Sequence, residues 1–331
     1  MTYEVEVSWP LDGISMYGSL TRPDGAGPFP GVVLVAGSGP TDRNWNSPLL
    51  PGDNGSGRLI AQALAGAGVV CLRYDKRASG PHVPENFPAM IGRISMQSHL
   101  DELTAAVGVL AGQDFVDSSR LVGIGNSEGC LHVLHYATSQ QEIALIGLVL
   151  LSPPGRAVGE LLISQLALQL AQVPGGDTLL PLVEAAASRY SADEPMDPDP
   201  SLPEPIRMVL ASFETPANLP FARELWSEDA CDTLARVQLP TLVVIGRKDA
   251  QVDAEIDGPR LQRAAADHAN VTFAFPPHAN HVLKEEPRSI AEVAASGNAR
   301  YSDPETHLDP EAVGIVNSWL ASVVAVGPEA L

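Results

Sequence analysis

The sequence predicts an α/β fold with a mainly parallel sheet. Three observations carry this reading. Short, unbroken apolar runs recur along the chain, stretches of helical periodicity separate them, and the chain opens on an alternating hairpin. A strand buried on both faces reads as a continuous β-branched run, and it needs a helical crossover to reach a parallel neighbour.

Tyr3–Trp9 and Ile14–Thr21 alternate around Asp12-Gly13, a turn dipeptide, and predict an antiparallel hairpin at one edge. Gly31–Ala36 (GVVLVA) reads as a buried strand, followed by a polar loop from Gly37 to about Asn54. A helix is expected over Arg58–Ala67 and a strand over Val69–Tyr74. Leu100, Leu103, Val107 and Leu110 share one face of a helix over His99–Leu110. Leu121–Gly125 is a strand, Glu128–Thr138 a helix and Ile143–Leu151 a strand. The alternation resumes with strand Thr241–Ile245, a helix near Arg260–Ala269, strand Val271–Phe275 and a closing helix near Glu311–Val324.

Between Pro153 and Arg236 the alternation breaks. Glu160–Gln172 is strongly helical, and Asp193–Pro205 (DEPMDPDPSLPEP) is acidic and proline-dense, which predicts a loop or flexible flap. Some 80 residues between two sheet strands exceed an ordinary connection. The domain reading is therefore one core, residues 1–152 and 237–331, with an inserted, mainly helical cap over 153–236. That insert holds 13 acidic residues against 5 arginines. If they faced a cleft they would disfavour anionic substrates; a solvated face is the expected case.

The chain has 331 residues and a formal charge of −20, ample for a large core and opposed to any general grip on nucleic acid or anionic lipid. Lys76, Lys248 and Lys284 are its only lysines. Such an Arg- and Ala-rich composition reads as the mark of a GC-rich genome rather than of salt adaptation. Cys71, Cys130 and Cys231 have neither CxxC nor metal-site spacing, so a reducing cytoplasm is expected. The opening MTYEVEVSW lacks the pattern of a signal peptide, and the apolar run Ala144–Leu151 is far too short to span a membrane. A homo-oligomer is left open.

The sharpest chemical feature is Gly125-Asn126-Ser127-Glu128-Gly129, a GxSxG motif. It lies directly after an apolar strand and directly before a helix, the setting of a nucleophile elbow. Serine needs a base, and the base an orienting acid. Both belong at the C-terminal ends of strands, where open α/β sheets bind ligands. Asp249 is the first acid past the strand TLVVI, with Asp253 and Asp257 as alternatives further on. The strand VTFAF runs into a loop carrying both His278 and His281. Two backbone N–H groups should receive a developing oxyanion. One belongs to Glu128, the residue after the serine, and the second is placed at Ser38 in the Gly37–Pro40 loop.

At this point the chain resembles the α/β-hydrolase superfamily. It is most similar to bacterial serine esterases related to prolyl-oligopeptidase-like and dienelactone-hydrolase-like proteins. GSGPTDRN (Gly37–Asn44), RYDKRASG (Arg73–Gly80), GNSEG, GRKDAQV (Gly246–Val252) and ANHVLK (Ala279–Lys284) carry the resemblance. It implies the α/β-hydrolase fold, with Asp249 as the acid and His281 as the base. Many relatives have His where this chain has Ala36 and Asn126. Neither is a triad position.

The expected activity is serine-dependent hydrolysis of carboxylic esters of small or medium acyl groups through Ser127, His281 and Asp249, with a small-molecule ester as partner and no cofactor or metal. An exopeptidase or acyl-peptide hydrolase with the same triad is the near alternative, and a non-catalytic binding protein on the same fold the distant one. His132 and His135, at i, i+3, read as core histidines rather than metal ligands, and Cys130 as a small core residue. The glycines around Gly123–Gly129 lack the downstream acid of a dinucleotide site. Asp42, Arg43, Asp75 and Arg77 read as an ion-pair network bracing loops.

Overall fold

The structure, a computed structural model, describes residues 2–296 and 300–326. Eight strands form one sheet: β1 (Thr2–Leu11), β2 (Ile14–Pro23), β3 (Phe29–Val35), β4 (Val70–Tyr74), β5 (Val116–Asn126), β6 (Gly147–Leu151), β7 (Thr241–Val244) and β8 (Val271–Ala274). Their order is β1-β2-β4-β3-β5-β6-β7-β8. The hairpin β1–β2 is antiparallel and joins β4 antiparallel, while β4 through β8 run parallel. Asp12 and Gly13 both take positive φ, 52° and 82°, as a two-residue hairpin turn requires.

Alternate residues of the central strands feed two cores. Val33 and Val35 pack with Leu103, Val107, Leu131 and Leu134, from helices Met96–Ala111 and Glu128–Thr138. Val32 and Leu34 pack with Ile60, Leu64, Val316 and Leu320, from helices Ser56–Gly66 and Pro310–Val326. Helices thus cover both faces, and each buried aliphatic side chain contributes roughly 1.5–3 kcal/mol of transfer free energy. Ser95 starts the helix Met96–Ala111 with a reciprocal capping box to Ser98.

The segment between β6 and β7 carries the helices Val158–Leu170, Leu180–Ser191, Glu204–Ser212, Phe221–Trp226 and Ala230–Leu234. Leu166, Leu170, Val183, Tyr190, Leu210 and Trp226 form an apolar cluster of its own. Polar ties fasten it to the rest of the chain. The buried Arg156 guanidinium grips both carboxylate oxygens of Asp257, at 2.9 Å each. The Met96 amide donates to Glu224 at 2.6 Å, and His135 meets Glu228 at 2.8 Å. The proline-dense stretch is a loop but not a free flap. Met196 and Leu202 are buried, and the Arg189 guanidinium donates to the carbonyls of Met196 and Asp197. None of the segment's 13 acidic residues is buried.

Candidate active site

The sheet brings the loops after β3, β5, β7 and β8 to one edge. Ser127 follows β5 directly and precedes the helix Glu128–Thr138. Its backbone sits at φ 53°, ψ −120°, a conformation costing a non-glycine residue of order 1–3 kcal/mol. Backbone bonds hold it there: its amide donates to Leu151 at 2.9 Å, and its carbonyl accepts from Cys130 at 2.9 Å. The motif's glycines are steric necessities. A Cβ on Gly125 would lie 2.3 Å from the Gly129 oxygen, and one on Gly129 would lie 2.5 Å from the Val35 oxygen. The serine is half-buried, between the closed sheet edge and the helix N-terminus.

Asp249 and His281 come together although 32 residues separate them. His281 Nδ1 lies 2.8 Å from Asp249 Oδ2. The other carboxylate oxygen, Oδ1, accepts from the amides of Gln251 and Val252 at 2.8 and 3.0 Å, which fixes the carboxylate's orientation. The alternatives go elsewhere. Asp257 is engaged by Arg156, the side chain of Asp253 accepts from the Glu255 amide, and His278 is exposed.

Asn126 links the two halves of this arrangement. Its side-chain amide donates to the Leu151 carbonyl at 3.3 Å and to the His281 carbonyl at 3.1 Å. The residue beside Ser127 therefore holds the backbone of His281. Within the histidine loop, Asn280 Oδ1 accepts from the amides of Val282 and Lys284, and Lys284 Nζ donates to the carbonyls of Asn54 and Tyr301 at 2.7 and 2.6 Å. Sequence reasoning gave none of these three residues a role, although ANHVLK contains Asn280 and Lys284. The only signal for Asn126 was its departure from the relatives' histidine.

The Gly37 loop closes the site from the β3 side. A Cβ on Gly37 would lie 3.3 Å from Ser127 Cβ, so this peptide borders the serine directly. Gly37 is buried and Ser38 exposed. Among the described residues, neither the Ser38 nor the Glu128 amide donates to a protein acceptor. One of these free amides belongs to the residue after the serine, the other to the Gly37 loop that borders it.

Behind the elbow lies a chain of buried ionisable groups. Lys76 Nζ meets Glu128 Oε1 at 2.7 Å, His132 Nε2 meets the same oxygen at 3.3 Å, and the His132 and His99 rings lie 4.7 Å apart. His99 Nδ1 meets Glu102 at 3.1 Å, and Glu102 pairs with Arg77. Burial pushes the Glu128 carboxyl up, but Lys76 and His132 overcome it and hold the group well below its usual range. Nearby, Arg43 brackets Asp75 from its amide, 2.8 Å, and its guanidinium, 2.9 Å. Asp42 accepts from the amides of Asn44 and Asn46. These four charged residues near the loops thus make structural ties. Cys130 is buried, its thiol pushed well above the ordinary value by burial. No group of three or more metal-ligating side chains occurs among the described residues.

His132 has a consequence for stability. Burial pushes its pKa down to about 4, against the hydrogen bond to Glu128. Unfolded, it takes up a proton as pH falls past about 6.5. In the folded chain it stays neutral until about pH 4. The unfolded state binds more protons across that window, so stability complete above pH 6.5 is lost progressively toward pH 4, by about 3 kcal/mol. Chemical denaturation at stepped pH should show this slope, and His132→Gln should flatten it. An unchanged slope in the variant would assign the acid sensitivity to other groups.

A parallel sheet with an antiparallel leading edge, helices on both faces and a serine on a strand–turn–helix elbow defines the class. The model of the Alpha/beta hydrolase family matches residues 32–294, and the chain belongs to that family. Esterase EstD of Thermotoga maritima is 25% identical over 306 residues, which cover 92% of this chain but 65% of EstD, so the chain spans less than two thirds of that relative. Among solved structures, a proline iminopeptidase of Mycobacterium smegmatis superposes with a TM-score of 0.57 at 20% identity, over 97% of this chain and 99% of that one. A Pyrococcus furiosus esterase gives 0.53 at 17% identity, over 97% and 91%. These two likenesses concern the fold. No described helix is long and apolar enough to cross a membrane.

Proposed function

We propose that the protein is a serine hydrolase acting on carboxylic esters of small or medium acyl groups. One observation carries the reading: His281 Nδ1 meets a carboxylate that two backbone amides orient, while Asn126 ties the His281 backbone to the residue beside Ser127. In this mechanism Ser127 Oγ attacks the ester carbonyl carbon as His281 Nε2 takes its proton. The tetrahedral oxyanion is received by the Ser38 and Glu128 amides. Collapse breaks the bond to the alkoxy oxygen, which leaves as the alcohol with the proton from His281. Water then repeats the sequence on the acyl-enzyme and releases the acid. Asp249 holds the tautomer with Nδ1–H and stabilises the imidazolium.

The likeness to EstD supports an ester as the scissile bond. The helical segment over 153–236 is the proposed cap. Its helix Val158–Leu170 walls a cleft of about 410 Å³ together with the Asp249–Gln251 loop; Asp249 lines that cleft, while Ser127 and His281 do not. The 13 acidic side chains of the segment, none buried, fit a solvated face. The three free cysteines fit a cytoplasmic location.

A fluorophosphonate probe should label the native protein once per chain, at Ser127. Absence of labelling, beside a known serine esterase that is labelled, would sink the hydrolase reading. A panel of p-nitrophenyl esters set against aminoacyl anilides separates an esterase from an exopeptidase, with the esters expected to turn over.

A further inference from the structure

The loop after β4 sends one of the chain's three lysines inward. The Lys76 side chain is 4% exposed, and its ammonium has two partners in the site: the Gly37 carbonyl at 2.6 Å and Glu128 Oε1 at 2.7 Å. The Gly37 carbonyl and the Ser38 N–H belong to the same peptide unit. A trans peptide is planar, so its C=O and N–H point in opposite directions. A donor fixed on the Gly37 oxygen therefore aims the Ser38 N–H the other way. It also polarises the amide, which strengthens that N–H as a donor. The ammonium's second partner is the side chain of Glu128, whose own backbone N–H is the other proposed oxyanion donor. A single cation thus bridges the two segments that carry the two donors.

Fold stability alone does not call for this pair. Taking two charges out of water carries a desolvation penalty, and a well-packed apolar pair of similar volume often serves stability as well or better. An apolar side chain, however, cannot hold a carbonyl. The groups behind the pair steady it. Glu128 is backed by His132, His132 packs on His99, His99 bonds Glu102, and Arg77 holds Glu102.

We propose that Lys76 is a positioning residue for acyl transfer: its ammonium orients the Gly37–Ser38 peptide and ties it to Glu128, so that both N–H groups converge on one oxygen. The inference rests on the Ser127 hydrolase reading. Lys76→Met alone would strand a buried carboxylate, so the informative variant is Lys76→Met with Glu128→Met, which removes both charges and leaves the Glu128 amide in place. It should fold, keep KM for p-nitrophenyl acetate within about threefold, and lose about 10–100-fold in kcat, less than outright removal of an oxyanion donor costs. The Ki of a trifluoromethyl ketone, whose adduct carries the oxyanion, should rise by the factor that kcat/KM falls.

Lys76→Met with Glu128→Gln, which also removes both charges and the donor to Gly37 but keeps a polar partner for His132, is the second variant, with the same expectation. A kcat within about threefold of native in either folded variant would overturn the proposal. So would a fall in kcat with no change in the ketone's Ki, which marks general distortion. Failure of both variants to fold would assign the pair a structural role instead. A native protein that turns over no ester and takes no fluorophosphonate sinks the parent reading with it; losses confined to the variants bear on Lys76 alone.

Discussion

Ser127→Ala is expected to lower kcat/KM for p-nitrophenyl acetate by about 10³–10⁶-fold, with the fold intact. The size follows from how such sites work. Base and acid act through the serine oxygen, so removing it silences them together, and a residual advantage over water comes from the oxyanion donors and binding. The fold should survive because the hydrogen bonds holding residue 127 are backbone bonds, its amide to Leu151 and its carbonyl from Cys130. The Ser127 side chain forms no helix cap. A second substitution at the same position sharpens the test. Ser127 stands at φ 53°, ψ −120°, where a Cβ costs of order 1–3 kcal/mol. Ser127→Gly relieves that strain while giving back part of it, about 0.5–1 kcal/mol, in unfolded-chain entropy. It should be as inactive as Ser127→Ala and at least as stable as the native protein in urea denaturation. Activity within about tenfold of native in either variant would place the nucleophile elsewhere.

The parts of this molecule that were legible in the sequence are those that repeat or follow one another along the chain. Apolar runs gave the strands because each central strand is buried on both faces. The helix Glu128–Thr138 matches its expected bounds, with Ser127 of the elbow and Ser139 flanking it. Elements lacking such a signal were missed or misjudged. Pro84 and Pro88 hid the helix Val83–Met90, whose first proline occupies the opening turn where no N–H partner is needed. The helix Ile290–Ser296 was likewise unread. Strand β5 begins at Val116, five residues before its buried run, because the polar residues 117–120 extend it beyond the core. Conversely, the apolar residues 143–146 lie ahead of β6, which starts at Gly147.

The candidate site divides in the same way. Chain order and strand ends pointed to Ser127 and Asp249, and the family resemblance chose His281 over His278. Asp249 is the nearer of the acids to its strand end, and the partners, His281 for Asp249 against Arg156 for Asp257, separate the two in space. The residues that hold the arrangement, Asn126, Lys76, Asn280 and Lys284, act by bonds to distant carbonyls or across a loop, and no spacing rule encodes a contact between residues 37 and 76. Composition did leave one trace. In a chain with three lysines, Lys76 and Lys284 are both buried, each bonded to a backbone carbonyl of a site loop or its support.

Asp249→Asn is expected to lower kcat by about 10⁴-fold, the loss measured for the same exchange in a serine protease of unrelated fold. The hydrogen bonds dictate why so small a change should matter. Oδ1 accepts from two backbone amides, so the asparagine must keep its oxygen there, since its NH₂ would face two donors. The NH₂ is then forced onto His281 Nδ1. That nitrogen must become an acceptor, and the ring's proton moves to Nε2, where it blocks removal of the Ser127 proton. Little else changes, so the unfolding midpoint should shift slightly and KM hold. Asp257→Asn provides the opposite case. Its carboxylate binds Arg156 through both oxygens and is fully buried, and breaking such a pair costs about 3–5 kcal/mol. That variant should lose much of its stability yet keep kcat per active site, counted by fluorophosphonate titration, within about tenfold. If Asp249→Asn retained its kcat, or if Asp257→Asn suffered the larger loss per active site, the orienting acid would have to be reassigned.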